Sequence, residues 1–227
     1  MLFLAPLLGL LPQAVLAAVV IVYSVGLIQP AEFNAIRKVR TMEFRWALTA
    51  FIGVLIFGTL KGIVVAIIVS MISLASQAAH SRVYAIGRKR GEDVLRPLSP
   101  EHSDDETFDG LLIVRPEGRL FFANAQQVAD QIRALSAEHK PRVLALDLSR
   151  VFDIEYSALQ MIIEGERRTT AEGATLWLAD LNPSVKQCIE SSGLAERLGK
   201  ERLFPNARAV IRHYQEMSGN APVNAPN

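Results

Sequence analysis

The sequence predicts two fused parts of different class: an all-helical, membrane-type segment followed by a small α/β domain. Three observations predict this. Residues 1–31 carry no Asp, Glu, Lys or Arg and residues 1–80 carry only seven, whereas residues 81–227 hold the other 40. Apolar residues form long uninterrupted runs before residue 80 and short runs with strand or helix periodicity after residue 110. The charge also changes sign, with 10 basic and 4 acidic groups in residues 1–100 and 14 and 19 in residues 101–227. The net charge of +1 is therefore a cancellation that describes neither part, and no nucleic-acid partner is implied. The implied organisation is membrane helices over 1–80, a basic-then-acidic linker over 81–110, the α/β domain over 111–217, and a disordered tail over 218–227.

Met1 to Ile28 lacks the basic start and short apolar core of a signal peptide, and fits a membrane assignment better. Pro12 divides the run, because proline suits a first helical turn and breaks an interior one. Leu2–Leu11 reads as the end of one membrane segment and Gln13–Ile28 as the next. Arg37, Lys38, Arg40 and Arg45 then read as a cytoplasmic loop. Trp46–Ala79 has Lys61 as its only charge. A single helix of that length would overshoot a bilayer core of about 30 Å. Gly58-Thr59-Leu60-Lys61-Gly62 is expected to turn the chain, with Lys61 snorkelling to the far interface. A second basic cluster, Arg82, Arg88, Lys89 and Arg90, returns both arms to the side on which they began.

The linker GEDVLRPLSPEHSDDETFDG is rich in Pro, Ser, Asp and Glu. Beyond it, Leu111–Val114 and Leu120–Ala123 read as strands of a hairpin around Arg115-Pro116-Glu117-Gly118. Asn124 can cap a helix that turns Val128, Ala129, Ile132 and Leu135 inward. Val143–Leu148, broken only by Asp147, suits a strand buried on both faces. After a loop through Asp153, a helix buries Ala158, Leu159, Ile162 and Ile163 and ends at Gly173. Ala174–Ala179 is a further strand. Asn182-Pro183 opens a helix closed by Gly193, and Ala207–Met217 forms the last one.

No catalytic set emerges, and the chain is not read as an enzyme. His102, His139 and His213 lack metal-ligand spacing, no glycine loop cradles phosphate, and neither a metal nor a cofactor is implied. Cys188, the sole cysteine, sits among Val185, Ile189 and Leu194 as a buried structural thiol. Asp147 and Asp153 read as turn and loop anchors.

Several blocks, in order, resemble a known family. LPQAVLAAVVIV, FIGVLIFGTLKGIVVAIIVS and GLLIVRPEGRLFFANA resemble the C-terminal part of SulP-type anion transporters. DLSRVFDIEYSALQMII and LADLNPSVKQCIESSGL are similar to their cytoplasmic STAS domain. The likeness runs from Leu11 to Tyr214. It implies two inverted seven-helix repeats arranged as a substrate-carrying core and a gate, followed by the STAS domain. Such proteins move sulfate, bicarbonate or dicarboxylates by an elevator-like motion. On that pattern Leu2–Leu11 ends the last core helix, and Gln13–Ile28 with the arms around Lys61 forms the final three gate helices. The broken core helices that hold the anion have no counterpart here, so no residue inherits a substrate-binding role and the chain is expected to be a fragment.

In anti-sigma factor antagonists the matching junction reads Asp-Ser-Ser/Thr-Gly and its first serine is phosphorylated. Here it reads Glu155, Tyr156, Ser157 and Ala158. Tyrosine at the acceptor position argues against a serine-kinase switch there. Ser157 keeps a hydroxyl in the first helical turn, where the plainer role is a local hydrogen bond and where the helix dipole tolerates negative charge. Asp153, Glu155, Tyr156 and Ser157 are thus the candidate regulatory residues. The implied setting is the inner (cytoplasmic) membrane, multi-pass, with the STAS domain in the cytoplasm. The implied partners are the lipid bilayer, the missing core helices, a second copy as homodimer, and a cytosolic protein or nucleotide on the STAS domain. The competing expectation is a membrane-tethered STAS interaction module without transport.

Overall fold

In the helical part, α1 (Gln13–Gly26) contains no charged residue, as its apolar composition requires. The computed structural model describes residues 13–219 and 223–224, so the expectation for Leu2–Leu11 lies outside them. By internal packing the chain divides into a unit ending at Leu74 and a unit from Ala75 to Asn227. The basic stretch read as a loop is instead a short helix, α2 (Pro30–Val39). Pro30 sits in its first turn with Glu32, and Arg37 and Lys38 occupy its last, so its charges complement the helix dipole. The run after it does fold back, as α3 (Thr41–Phe57) and α4 (Thr59–Ala79). The break is sharper than the five residues expected: Gly58 alone, at φ 78°, separates the helices, and Lys61 lies in the first turn of α4. Small residues let the arms touch. A Cβ on Gly62 would lie 2.4 Å from the Val54 Cα, and Gly53 faces Val65. Gln13–Val39 and Thr59–Ala79 are long and apolar enough to cross a membrane.

The α/β unit is built on one sheet of β1 (Val83–Arg88), β2 (Leu95–Pro97), β3 (Glu106–Thr107), β4 (Leu111–Pro116), β5 (Val143–Asp147), β6 (Thr175–Ala179), β7 (Leu203–Phe204) and β8 (Val223–Asn224), in the order β7-β6-β5-β4-β1-β3-β8 with β2 also on β1. Strands β4 (Leu111–Pro116), β5 (Val143–Asp147), β6 (Thr175–Ala179) and β7 (Leu203–Phe204) run parallel. Register pairs Leu112 with Leu144 and Leu144 with Leu176. Strand alternation therefore divides the core. Leu112, Val114, Leu144, Leu146, Leu176 and Leu178 face one side, with inward residues of α5 (Ala125–His139), α6 (Tyr156–Ala171), α7 (Pro183–Ser191) and α8 (Leu194–Leu198). Leu111, Ile113, Val143, Ala145 and Trp177 face the other, under α9 (Ala207–Ser218).

Two expectations change here. Leu120–Ala123 is not a strand; Leu120 makes a single bridge to Ile154. Gly118, at φ 93°, turns the chain across the end of the sheet, and its N–H donates to the Arg150 carbonyl. The antiparallel neighbour of β4 is β1 (Val83–Arg88), from the segment read as linker. That segment also supplies β2 (Leu95–Pro97) and β3 (Glu106–Thr107), both paired with β1. It is ordered because its opposite charges pair with one another: Arg88 Nε lies 2.7 Å from Glu106, and Arg96 makes two hydrogen bonds to the buried carboxylate of Asp105. The tail expectation lies mostly outside the described residues. Within them Ser218 still belongs to α9, and β8 (Val223–Asn224) pairs with β3.

Candidate functional site

The candidate regulatory residues lie where parallel strands β4 and β5 end, in two loops over residues 117–124 and 148–157. Such loops beyond the carboxyl ends of parallel strands are the usual place for binding in open α/β sheets. The loops are joined by backbone. The Leu120 N–H donates to the Asp153 carbonyl at 3.0 Å, and the Glu155 N–H donates to the Leu120 carbonyl at 2.8 Å. Leu120 and Ile154 are buried beneath this ladder, which fixes the loops on the core.

Above it, the structure brings Asp153 and Glu155 together through a residue that sequence reasoning missed. Arg119 Nε donates to Asp153 Oδ2 at 2.8 Å, and its guanidinium also lies 2.9 Å from Glu155 Oε1. Glu155 occupies the N-cap of α6 without a side-chain cap bond, its carboxylate being drawn to Arg119 instead. Tyr156 projects into solvent at 75% exposure. Ser157 does not make the local bond expected of it: its Oγ is buried and has no hydrogen-bond partner among the described residues. The candidate set therefore separates into an ion-paired clamp (Asp153, Glu155), an exposed ring (Tyr156) and a buried hydroxyl (Ser157).

Phe122 and Phe152, on the same loops, are 75% and 65% exposed. Tyr156 is exposed and Arg119 half-exposed on the same two loops, and aromatic and guanidinium side chains are the types favoured at protein interfaces. The hairpin reading hid Phe122 by making it an ordinary strand residue. The adjacent pair Phe121-Phe122, just after the Gly118 turn, was the available signal.

Asn124 links these loops to the end of α4. It is fully buried, but its side chain does not cap α5. Its Oδ1 accepts from the Phe121 N–H, while Nδ2 donates to the Ala78 carbonyl, Ser81 Oγ and the Arg119 carbonyl. Gln131 adds a second tie, donating to the Ser81 carbonyl and accepting from the Val83 N–H. The chain leaving α4 is thus held by the loop that carries Arg119 and Phe122.

Asp147 has an architectural role. Its side chain is buried, receives Arg115 at 2.7–2.8 Å, and accepts the Ser149 N–H that shapes the turn. Asp180 lies nearby in the left-handed region, at φ 58°. Burial, and next the negative charge of Asp147, push its carboxyl up from the ordinary value, against the opposing pull of Arg115. Cys188 is half-buried, with its thiol 3.9 Å from the Ile154 carbonyl. Among the described residues no three His, Cys, Asp or Glu side chains gather closely enough to hold a metal.

The mixed parallel and antiparallel sheet with this loop face has known counterparts. Residues 102–209 match the family model of the STAS domain. The chain is 25% identical to high affinity sulfate transporter 2 of Stylosanthes hamata, over 94% of its own length and 34% of the transporter. It is 27% identical to chloroplastic sulfate transporter 4.1 of Arabidopsis thaliana, over 93% of its length and 32% of the relative. The murine solute carrier 26 family member A9 anion transporter, inward-facing, shares the fold with a TM-score of 0.69 at 18% identity, covering 83% of this chain and 30% of that one. Residues 102–209 thus match the STAS domain, behind apolar helices, and over most of its length the chain is similar to these sulfate transporters. It spans about a third of the length of these curated relatives.

Proposed function

We propose that this chain is the C-terminal part of a SulP-type secondary anion transporter. In this reading α1, α3 and α4 are the last gate helices and the STAS domain regulates them from the cytoplasm. One observation carries the reading: the likeness to sulfate transporters is continuous over 94% of the chain and includes the apolar helices as well as the domain. The cargo class is an inorganic or small organic anion: sulfate, bicarbonate or a dicarboxylate. The membrane is the cytoplasmic one. Regulation enters at the loops carrying Arg119, Phe122, Phe152 and Tyr156, and reaches the gate through the bonds of Asn124 to Ala78 and Ser81.

Tyr156, exposed at the start of α6, is the modifiable hydroxyl of the junction; Ser157, with its buried Oγ, needs the loop to open first. The exposed aromatic face also supports the second reading, a tethered docking module without transport. Uptake of radiolabelled sulfate separates the two. The chain is joined in frame to a SulP core that lacks its own C-terminal third. Restored uptake, abolished when Asn124 is replaced by Leu, supports the transporter reading. Membrane insertion and correct folding with no restored uptake for sulfate, bicarbonate or dicarboxylate overturns it in favour of the docking module.

A further inference from the structure

Helix α4 has 21 residues, about 31 Å at 1.5 Å per residue, and the hydrocarbon core of a bilayer is about 30 Å thick. Crossing the membrane, as the proposed function has it do, therefore uses the whole helix. No stalk is left between the bilayer and the α/β domain, and Ala78 and Ala79, the last residues of α4, come at the edge of the hydrocarbon.

The 117–124 loop is fastened to that end. Asn124 Nδ2 donates to the Ala78 carbonyl at 3.4 Å and to Ser81 Oγ at 2.8 Å. The Glu117 N–H donates to the Arg82 carbonyl at 3.0 Å. Asn124 is thus level with the last turn of α4. Phe122, two residues before it, is within about 7 Å along the chain. The headgroup layer is itself about 5–7 Å deep, so the loop lies against it.

Phe122 stands edge-on to Phe121, 5.4 Å away, and is 75% exposed. Phe152, 65% exposed, is on the loop joined to this one by the Gly118 N–H to the Arg150 carbonyl and the Leu120 N–H to the Asp153 carbonyl. Phenylalanine is among the side chains that interfacial segments bury at the boundary of headgroups and acyl chains. The charges around the two rings cancel, Arg82, Arg119 and Arg150 against Glu117, Asp153 and Glu155. The face thus neither requires nor repels an anionic lipid, and its attraction is apolar. A cytosolic protein on it would have to fit between the loops and the bilayer, where a helix without a stalk leaves no room.

We propose that the face carrying Phe122 and Phe152 rests on the membrane, with both rings in the headgroup layer of zwitterionic phospholipid. The proposal rests on the reading of α4 as a spanning gate helix and names what the loop face meets.

The test places the full chain in phosphatidylcholine nanodiscs with p-benzoylphenylalanine in place of Phe122, Phe152, Ile67 or Met217. Ile67, exposed in α4, reports the bilayer interior. Met217 reports water at the opposite end of the sheet. It is exposed three residues after Tyr214, whose hydroxyl donates to the Asp109 carbonyl just before β4. After illumination, lipid adducts are measured on each peptide by mass spectrometry. Adducts at 122 and 152 are expected at about tenfold the yield at 217. Exchanging about a third of the lipid for phosphatidylserine should leave them unchanged. Phe122→Asp should lower the yield at 152 about tenfold, and Phe122→Trp should keep it. Hydrogen-exchange protection of β4–β6 verifies that each variant is folded. No adduct at 67 overturns the membrane reading of α4 and this proposal with it. Adduct at 67 without adduct at 122 and 152 overturns this proposal alone and gives the face to a cytosolic protein. An adduct that needs phosphatidylserine, or an unchanged yield in Phe122→Asp, overturns the apolar contact.

Discussion

The helical unit and the α/β unit handle the same apolar residue types in opposite ways. In α1 and α4, Val20, Ile21 and Leu60 are 64%, 62% and 80% exposed, while Leu120, Leu148 and Leu178 of the domain are at most 1% exposed. The domain supplies its own apolar environment, one sheet face against four helices and the other against α9. The helical unit does not, and its exposed surface is what a hydrocarbon solvent or further helices would cover. Its internal contacts are consequently few and small. Gly62 against Val54 and Gly53 against Val65 join α3 to α4 without large interdigitating side chains. A close approach of small residues is the usual means of packing where no hydrophobic force draws helices together.

The largest expected effect falls on that joint. Gly62→Leu places its side chain on the Val54 backbone, so the α3–α4 hairpin should open. Disulfide trapping between cysteines introduced at positions 53 and 65 reads this directly. Hydrogen-exchange protection of β4–β6 should be unchanged, and a loss there would mean that the two units are not separately stabilised.

Asn124→Leu is the next in size and acts in the other unit. It leaves the Phe121 N–H and the Arg119 carbonyl without their partner in a fully buried site. At about 1–3 kcal/mol for each buried group left unpaired, the cost is a substantial part of a domain's stability. Urea unfolding followed by Trp177 should show a lower midpoint, and exchange should quicken first in the 117–124 loop. An unchanged midpoint would remove Asn124 as the structural link to the end of α4.

The smallest effects are those of pH, and they belong to the domain alone. Hydrogen bonds from Arg96 hold the Asp105 carboxyl below its ordinary value. That stabilisation is complete above the unfolded value of about 3.9 and is lost as pH falls through the folded one. Asp180 has the opposite sign, its folded value being raised. Its contribution is complete below about pH 3.9 and is lost as pH rises through the raised folded value. Asp180→Asn should therefore raise the thermal midpoint at pH 7, with the gain vanishing near pH 4, while Asp105→Asn should lower the midpoint at pH 7 and flatten the acid limb. Asparagine also suits the left-handed backbone at position 180. Identical pH profiles for both variants and the parent would show that neither carboxyl is perturbed.

The ease of reading the sequence differed by region for physical reasons. Asn182-Pro183 was legible as a helix start because an N-cap bond spans only three residues, and Asn182 Oδ1 accepts the Val185 N–H as expected. The strands Val143–Asp147 and Thr175–Ala179 were legible because burial on both faces leaves a continuous apolar run. The stretch 81–110 was not. Its Pro, Ser and acidic residues resemble a linker locally, and only the pairing of Arg88 with Glu106 and Arg96 with Asp105, 18 and 9 residues apart, orders it. At the loop face, Asp153, Glu155 and Tyr156 were found from the junction pattern. Arg119, 34 residues before Asp153, and Asn124, 46 residues beyond Ala78, were not, because their partners meet only across the fold.

The sequence by itself determined the division into an apolar helical part and an α/β domain, the fold-back around Gly58, and the STAS likeness. All of these rest on composition, periodicity and short-range order, which act within a few turns of chain. Only the tertiary structure decided which strand borders β4, which side chains reach the loop face, that the Ser157 hydroxyl is buried, and that the 117–124 loop is tied to the end of α4. Each of those depends on groups distant in sequence being brought within hydrogen-bond or van der Waals range, which no local pattern encodes.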